Sequence, residues 1–194
     1  MQEEDPLIGQ QLANYAIERV IGRGGMATVY FARDVRLNRP AAVKVIDARF
    51  RDQSSYTTRF LQEARMVASW RHEHILQIYY ADDVQLPDLG QIFFFAMEYI
   101  DGHNLAEVMA ADIQPAANLL PAADVLRYGR AIAKALDYAH ARGVIHRDVK
   151  PANILVANDG RVVLSDFGLA LEVQQGSLGE VFGSAHYIAP EQAR

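Results

Sequence analysis

The residue pattern of this chain changes once, at Asp101-Gly102, and that change limits the folds open to it. Before it, short apolar and β-branched runs alternate with Gly, Asn and Pro, the pattern of strands joined by turns. After it, apolar residues recur at helical spacing. The expectation is an α+β chain: a β-sheet unit with one main helix over residues 1–100, then a helical unit over 101–194. The connection runs near Met97 to Gly102, and a cleft between two such units is a natural ligand site.

Within the first half, Tyr15 to Ile21, Ala27 to Asp34 and Ala41 to Asp47 read as strands. Ser54 to Ser69 reads as a helix with Phe60, Ala64, Val67 and Ala68 on one face and two serines to cap its start. Ile75 to Ala81 and Gln91 to Tyr99 read as further strands, with Asp82 to Gly90 as their loop. In the second half, Asp124 to Ala141 places Val125, Tyr128, Ile132, Leu136 and Ala139 on one stripe. Gly143 is the expected stop.

Composition narrows the function classes. The chain has 194 residues, 51% hydrophobic and 22% charged, so it can bury a core. A net charge of -5 gives no bulk attraction to nucleic acid. There is no cysteine, which removes disulfides and thiolate metal sites and fits a reducing compartment. The longest apolar stretch, Ile92 to Ile100, is too short to cross a bilayer. The acidic start (Gln2, Glu3, Glu4, Asp5) lacks the basic and apolar regions of a signal peptide. The chain is expected in the cytoplasm, alone or as the intracellular part of a membrane-anchored protein.

Three features carry chemistry. Gly22-Arg23-Gly24-Gly25-Met26-Ala27-Thr28-Val29 sits between two strands. Glycines there let backbone N–H groups approach phosphate oxygens. A plain hairpin turn accounts for the same residues. Lys44 lies inside the apolar strand Ala41 to Ile46, where it must find a partner or reach solvent; Glu63 on the following helix is a candidate partner. The block His146-Arg147-Asp148-Val149-Lys150-Pro151-Ala152-Asn153 is the strongest. It combines an acid, a base and a carboxamide in a loop, followed by the apolar run Ile154 to Val156. A second apolar run, Arg161 to Ser165, leads into Asp166-Phe167-Gly168.

Together with Ala189-Pro190-Glu191, these motifs resemble those of the eukaryotic-type serine/threonine protein kinases, in the family's order and over residues 22 to 191. Lys150, placed after Asp148, is the serine/threonine form. The wording Gly-Gly-Met-Ala-Thr-Val-Tyr looks most like the bacterial receptor-kinase branch. The resemblance implies a bilobal kinase fold and transfer of the γ-phosphate of ATP to serine or threonine hydroxyls of protein substrates, autophosphorylation included.

It also implies roles. Asp148 matches the aspartate that orients the acceptor hydroxyl and takes its proton. Lys150 matches the cation that steadies the γ-phosphate. Asn153 and Asp166 match the Mg²⁺ ligands, with Mn²⁺ as an alternative ion. Lys44 and Glu63 match the ion pair that clamps the α- and β-phosphates. Ile21, Gly22, Gly24, Gly25, Val29 and Ala42 match the nucleotide roof and Leu155 its floor. Met97, Glu98 and Ile100 match the gatekeeper and the hinge. His146 and Phe167 match packing residues. Arg147 matches an arginine that reads negative charge on the activation segment, here from Glu180 or phosphorylated Ser177.

Kinase domains of this family are longer than the present chain. The helical lobe is therefore expected to be incomplete, as in a fragment, and a partner, homo-oligomerisation with a second copy or exchange between chains could complete it. Two other readings compete. One is a catalytically silent nucleotide-binding or docking module. The other is a small-molecule kinase, against which the full His-Arg-Asp-x-Lys loop speaks.

Overall fold

The computed structural model describes residues 5–51, 54–111, 120–167, 171–172 and 187. The chain divides into two compact units, residues 1–70 with 77–99, and residues 71–76 with 100–194.

The first unit is a six-stranded antiparallel sheet carrying one long helix. Its strands are β1 (Gln11–Leu12), β2 (Tyr15–Arg23), β3 (Ala27–Asp34), β4 (Arg39–Ile46), β5 (Ile78–Leu86) and β6 (Gly90–Glu98). They lie in the order β1-β2-β3-β4-β6-β5. Alternation sorts the side chains onto two faces. Tyr30 opposes Val43, which opposes Ala96. These residues join Leu7, Leu12, Ile17 and Phe94 in a buried apolar cluster. Val29, Lys44 and Phe95 form the neighbouring row, and Phe31, Ala42 and Met97 the next, on the opposite face.

Helix α1 (Ser54–Ala68) buries Thr57, Phe60, Ala64 and Val67, one stripe at helical spacing. Phe60 stacks on Phe95 with ring centroids 4.9 Å apart. The helix therefore packs on the sheet face that carries Lys44. The expected serine caps at Ser54 and Ser55 rest on side chains outside the described residues.

The expected loop over Asp82 to Gly90 is mostly strand. β5 runs to Leu86 and pairs with β6 as far as Gly90. It is an edge strand, and polar residues on an exposed edge mimic a loop in sequence. Gln91 Nε2 of β6 donates to Asp83 of β5 at 2.8 Å, so a polar pair bridges the two strands, while the Tyr80 hydroxyl donates to Asp82 within β5.

Residues 71–76 fall between α1 and β5 in sequence but cluster with the second unit. Hydrogen bonds explain it. Leu76 N–H donates to Leu164 O at 3.0 Å, and Leu164 N–H donates to His74 O at 2.8 Å.

The second unit contains β7 (Gly102–Asn104), α2 (Leu105–Ala111), α3 (Ala122–His140), β8 (Val144–Ile145), β9 (Ile154–Ala157), β10 (Val162–Leu164) and β11 (Leu171–Glu172). β10, β9 and β7 form a small antiparallel sheet, and β11 pairs with β8. α2 starts on a reciprocal cap that closes both orphan donors. Glu107 N–H donates to Asn104 Oδ1 at 3.0 Å, and Asn104 N–H donates to Glu107 Oε2 at 3.1 Å.

α3 buries Tyr128, Ala131, Ile132, Ala135 and Ala139. Val125, expected on that stripe, is exposed, because the buried face begins a turn later at Tyr128. Gly143 follows the helix with φ +74°, the left-handed conformation that suits glycine at a helix stop.

Candidate active site

The second unit gathers the acid, base and carboxamide of the His146–Asn153 block. β8 ends at Ile145, and a 3₁₀ turn over Pro151–Asn153 opens β9. Pro151 at the start of that turn fixes its φ and needs no donor partner. The polar side chains between them fold onto one another. Lys150 Nζ lies 2.7 Å from Asp148 Oδ2. Asn153, 5% exposed, donates Nδ2 to the Asp148 carbonyl oxygen at 2.8 Å and to Asp148 Oδ2 at 3.1 Å. The Asp148 carboxylate is thus held by a cation and an amide at once, which fixes its orientation.

Asp166 is brought next to this group through Ser165. The Ser165 N–H and hydroxyl both donate to the Asn153 carbonyl oxygen, at 2.9 and 3.0 Å. Asp166 follows directly, exposed and at φ +65°. Arg147, on the other side of the cluster in sequence, also has φ +65°. Two non-glycine residues in the left-handed region flank the acidic group, a concentration of backbone strain typical of working sites.

His146 is the strut of this arrangement. It is 1% exposed and its ring lies 4.5 Å from that of Phe167. Asp148 N–H donates to His146 Nδ1 at 3.2 Å, which leaves Nε2 to carry the proton donated to Ser165 O at 3.0 Å. Burial pushes its pKa down, outweighing the upward effects of the bond to Ser165 O and of the Asp166 and Asp148 charges. A neutral histidine bonded on both nitrogens is a spacer between the two loops, not a base.

Oxygen donors dominate the metal question. Asn153 spends its amide N–H₂ on Asp148, so its side-chain oxygen is the atom left to face a cation, and Asp166 offers a carboxylate. This donor set suits a hard ion that keeps waters and phosphate oxygens in its shell. Among the described residues no three His, Cys, Asp or Glu side chains converge on one point.

The first unit places the other candidates. Gly22 opposes Val29, which opposes Lys44, so the glycine-rich turn and the lysine lie in one row of the sheet. Ala42 and Met97 pair in the adjacent row on the same face. Ile21 occupies the irregularity in β2 between Val20 and Gly22. Lys44 Nζ sits 5.7 Å from the Phe95 ring centroid, a cation–π approach. Glu98 closes β6, and its N–H donates to Gln77 O at 2.9 Å. Ile100 and Leu155 belong to the second unit, Leu155 within β9 opposite Asn104 and Val163. Glu63 lies in α1, but its side chain falls outside the described residues, as do Gly168, Ser177, Glu180 and Ala189 to Glu191.

Ser165 and Gly102 escaped the reading of motifs. A Cβ at Gly102 would stand 2.1 Å from the Val156 carbonyl oxygen, so only glycine lets β7 approach β9 this closely. The sequence signal was the Asp-Gly pair itself, which marks a break without saying that two backbones meet there.

Comparison with known proteins agrees with this geometry. The family model for the protein kinase domain matches residues 15–194. The serine/threonine-protein kinase PrkC of Bacillus subtilis is 36% identical over 195 residues, covering 97% of this chain and 28% of that protein. The serine/threonine-protein kinase PknL of Mycobacterium bovis is 39% identical over 194 residues, covering 98% of this chain and 46% of that protein. The chain thus spans less than half the length of these relatives. The crystal structure of the PknI kinase domain of Mycobacterium tuberculosis superposes with a TM-score of 0.69 at 34% identity, covering 84% of this chain and 63% of that one.

Proposed function

Because this chain belongs to the protein kinase family, we propose that it transfers the γ-phosphate of ATP, bound with Mg²⁺, to serine and threonine hydroxyls of proteins, its own included. The observation that carries the proposal is the Asp148–Lys150–Asn153 cluster joined through Ser165 to Asp166.

Each residue has a task that its surroundings support. Asp148, oriented by Asn153, receives the acceptor hydroxyl and takes its proton. Lys150 moves from the Asp148 carboxylate toward the developing charge on the transferred group. Asn153 and Asp166 hold the ion, which neutralises phosphate charge when bound. Lys44 projects from the sheet face that also carries Val29, Ala42 and Met97, and binds the α- and β-phosphates. Glu63 steadies Lys44. The glycine-rich turn covers the phosphates with its N–H groups. Ile21, Val29, Ala42 and Leu155 are assigned as purine contacts, and the backbone from Glu98 to Ile100 as the partner of its edge.

Protein substrates are proposed from the kinases to which the chain is similar. Work in the cytoplasm, where ATP is supplied, fits a chain without cysteine. Among the described residues no helix is long and apolar enough to cross a membrane.

The test is incubation with γ-labelled ATP and Mg²⁺, then phosphoamino-acid analysis. Label on serine or threonine that is lost in Lys44→Met supports the proposal. Nucleotide binding without any transfer to protein would instead establish a silent nucleotide-binding module. Mn²⁺ in place of Mg²⁺ identifies the preferred ion.

A further inference from the structure

A glycine-rich turn is cheap to bend, since glycine restricts neither φ nor the approach of neighbours. Its N–H groups favour a phosphate only if they are held in place beforehand. In this molecule the turn is tied at two points to carboxylates that lie outside it.

The first tie is at the end of β2. Arg23 Nη2 donates to Asp5 Oδ2 at 2.7 Å. Asp5 is itself fixed, with a side chain 7% exposed. The Tyr30 hydroxyl donates to its two oxygens at 3.0 and 3.2 Å, and Leu7 N–H donates to Oδ1 at 3.2 Å. Leu7 is anchored in the apolar cluster of the sheet. Burial and the Asp5 bond push the Tyr30 phenol pKa up, so it stays a donor at any physiological pH.

The second tie is at the tip. Arg49 Nη2 donates to the Gly25 carbonyl oxygen at 3.2 Å. Asp47 holds that guanidinium as a fork, Nε to Oδ1 at 2.9 Å and Nη2 to Oδ2 at 3.0 Å. Asp47 is further secured by its own N–H, which donates to Met26 O at 3.0 Å. The Arg49 hydrogen bond brings the Asp47 carboxyl down to about 2.

We propose that Asp5 and Asp47 are positioning residues for the nucleotide: through Arg23 and Arg49 they hold the glycine-rich turn at the height where its backbone meets the phosphates. This rests on the reading of Gly22 to Val29 as the phosphate flap. It also assigns a direction to the two arginines. They face carboxylates and a carbonyl, so they brace the turn and do not read the phosphates themselves.

The test is the KM for ATP and the affinity for a fluorescent ATP analogue in Asp5→Asn and Asp47→Asn. Asparagine keeps the shape and the neutral hydrogen bonds and removes the charge. Each substitution is expected to raise KM about two- to fivefold, the scale of a partly exposed ion pair, with kcat within about twofold. Asp47→Glu, which restores the charge, is expected to recover part of the loss. Thermal melts check the fold. If Asp5→Asn melts early, Arg23→Gln is measured in its place, since it leaves the Asp5–Tyr30 contact intact.

Gly25→Val separates the proposal from its premise. A Cβ at Gly25 meets nothing within 4 Å, so the fold accepts it, while the side chain obstructs a phosphate. A rise in KM with Gly25→Val but none with the aspartate variants overturns the brace and leaves the flap standing. No change with Gly25→Val removes the flap reading and the brace together. A fall in KM with Asp47→Asn also overturns the proposal, because it would mean that a released Arg49 binds phosphate directly.

Discussion

Ser165 gives both of its hydrogen-bond donors to a single acceptor, the carbonyl oxygen of Asn153, at 2.9 and 3.0 Å. These two hydrogen bonds tie the backbone of Asn153 to the residue that precedes Asp166. Ser165→Ala removes the hydroxyl and keeps the N–H. It is expected to cost about 1 kcal/mol of stability. The Mg²⁺ concentration for half-maximal phosphate transfer is expected to rise more than the KM for ATP. A metal titration at saturating ATP checks it.

Asn153→Asp tests the orientation of Asp148, the proposed catalytic carboxylate. The amide donates to Asp148 at 2.8 and 3.1 Å. A carboxylate there brings an acceptor against two acceptors, and like charges that close cannot both be ionised at low cost. The variant is expected to lose about 1–3 kcal/mol at neutral pH. It should also lose most transfer activity, even though aspartate is an adequate metal ligand. Denaturation midpoints and transfer rates measured side by side decide this.

Gly102→Ala probes the close approach of β7 and β9. The added Cβ would lie 2.1 Å from the Val156 oxygen, and neither backbone can move without breaking the pairing of Gly102 with Ala157. The expected loss is about 2 kcal/mol or more. Early melting monitored through the second unit, with the first unit less affected, is the predicted signature.

The segment 71–76 carries a pH dependence. His72 Nδ1 accepts the His74 N–H at 3.1 Å, and the His72 ring stacks on Tyr138 with centroids 4.9 Å apart. Burial first, then His74, lowers the His72 pKa below its ordinary 6.5. The unfolded chain therefore takes up this proton at a higher pH than the folded one. Stability from neutral His72 is complete above the unfolded value and declines as the pH falls through it toward the folded one. Urea midpoints are expected to drop between about pH 7.5 and about pH 5.5. His72→Phe, which keeps the ring contact with Tyr138, should shrink that drop and leave the part carried by buried His146.

Much of this was legible in the residues. The three strands around Gly22 to Lys44 and the helix carrying Phe60, Ala64 and Val67 were visible because apolar spacing reports burial directly. The Asp148–Asn153 block was visible because its residue types are costly to bury without a purpose. The extension of β5 through Asp82 and Asp83 was not, since an exposed edge strand tolerates polar residues and then reads as loop. Nor were Ser165, Asp5 and Arg49. Each acts through a hydrogen bond to backbone or to a residue far along the chain, and neither periodicity nor motif records such partners. Val125 was misplaced because helical spacing fixes a stripe but not where packing along it begins.

The central claim is that Asp148 serves the chemical step and not the binding of nucleotide. Asp148→Asn keeps the size and the bond to Asn153 while removing the base. The decisive measurement is kcat for phosphate transfer beside the ATP dissociation constant in this variant. A fall in kcat of about 10²–10⁴-fold with the dissociation constant nearly unchanged is the predicted result. A kcat equal to that of the unsubstituted protein would contradict the account.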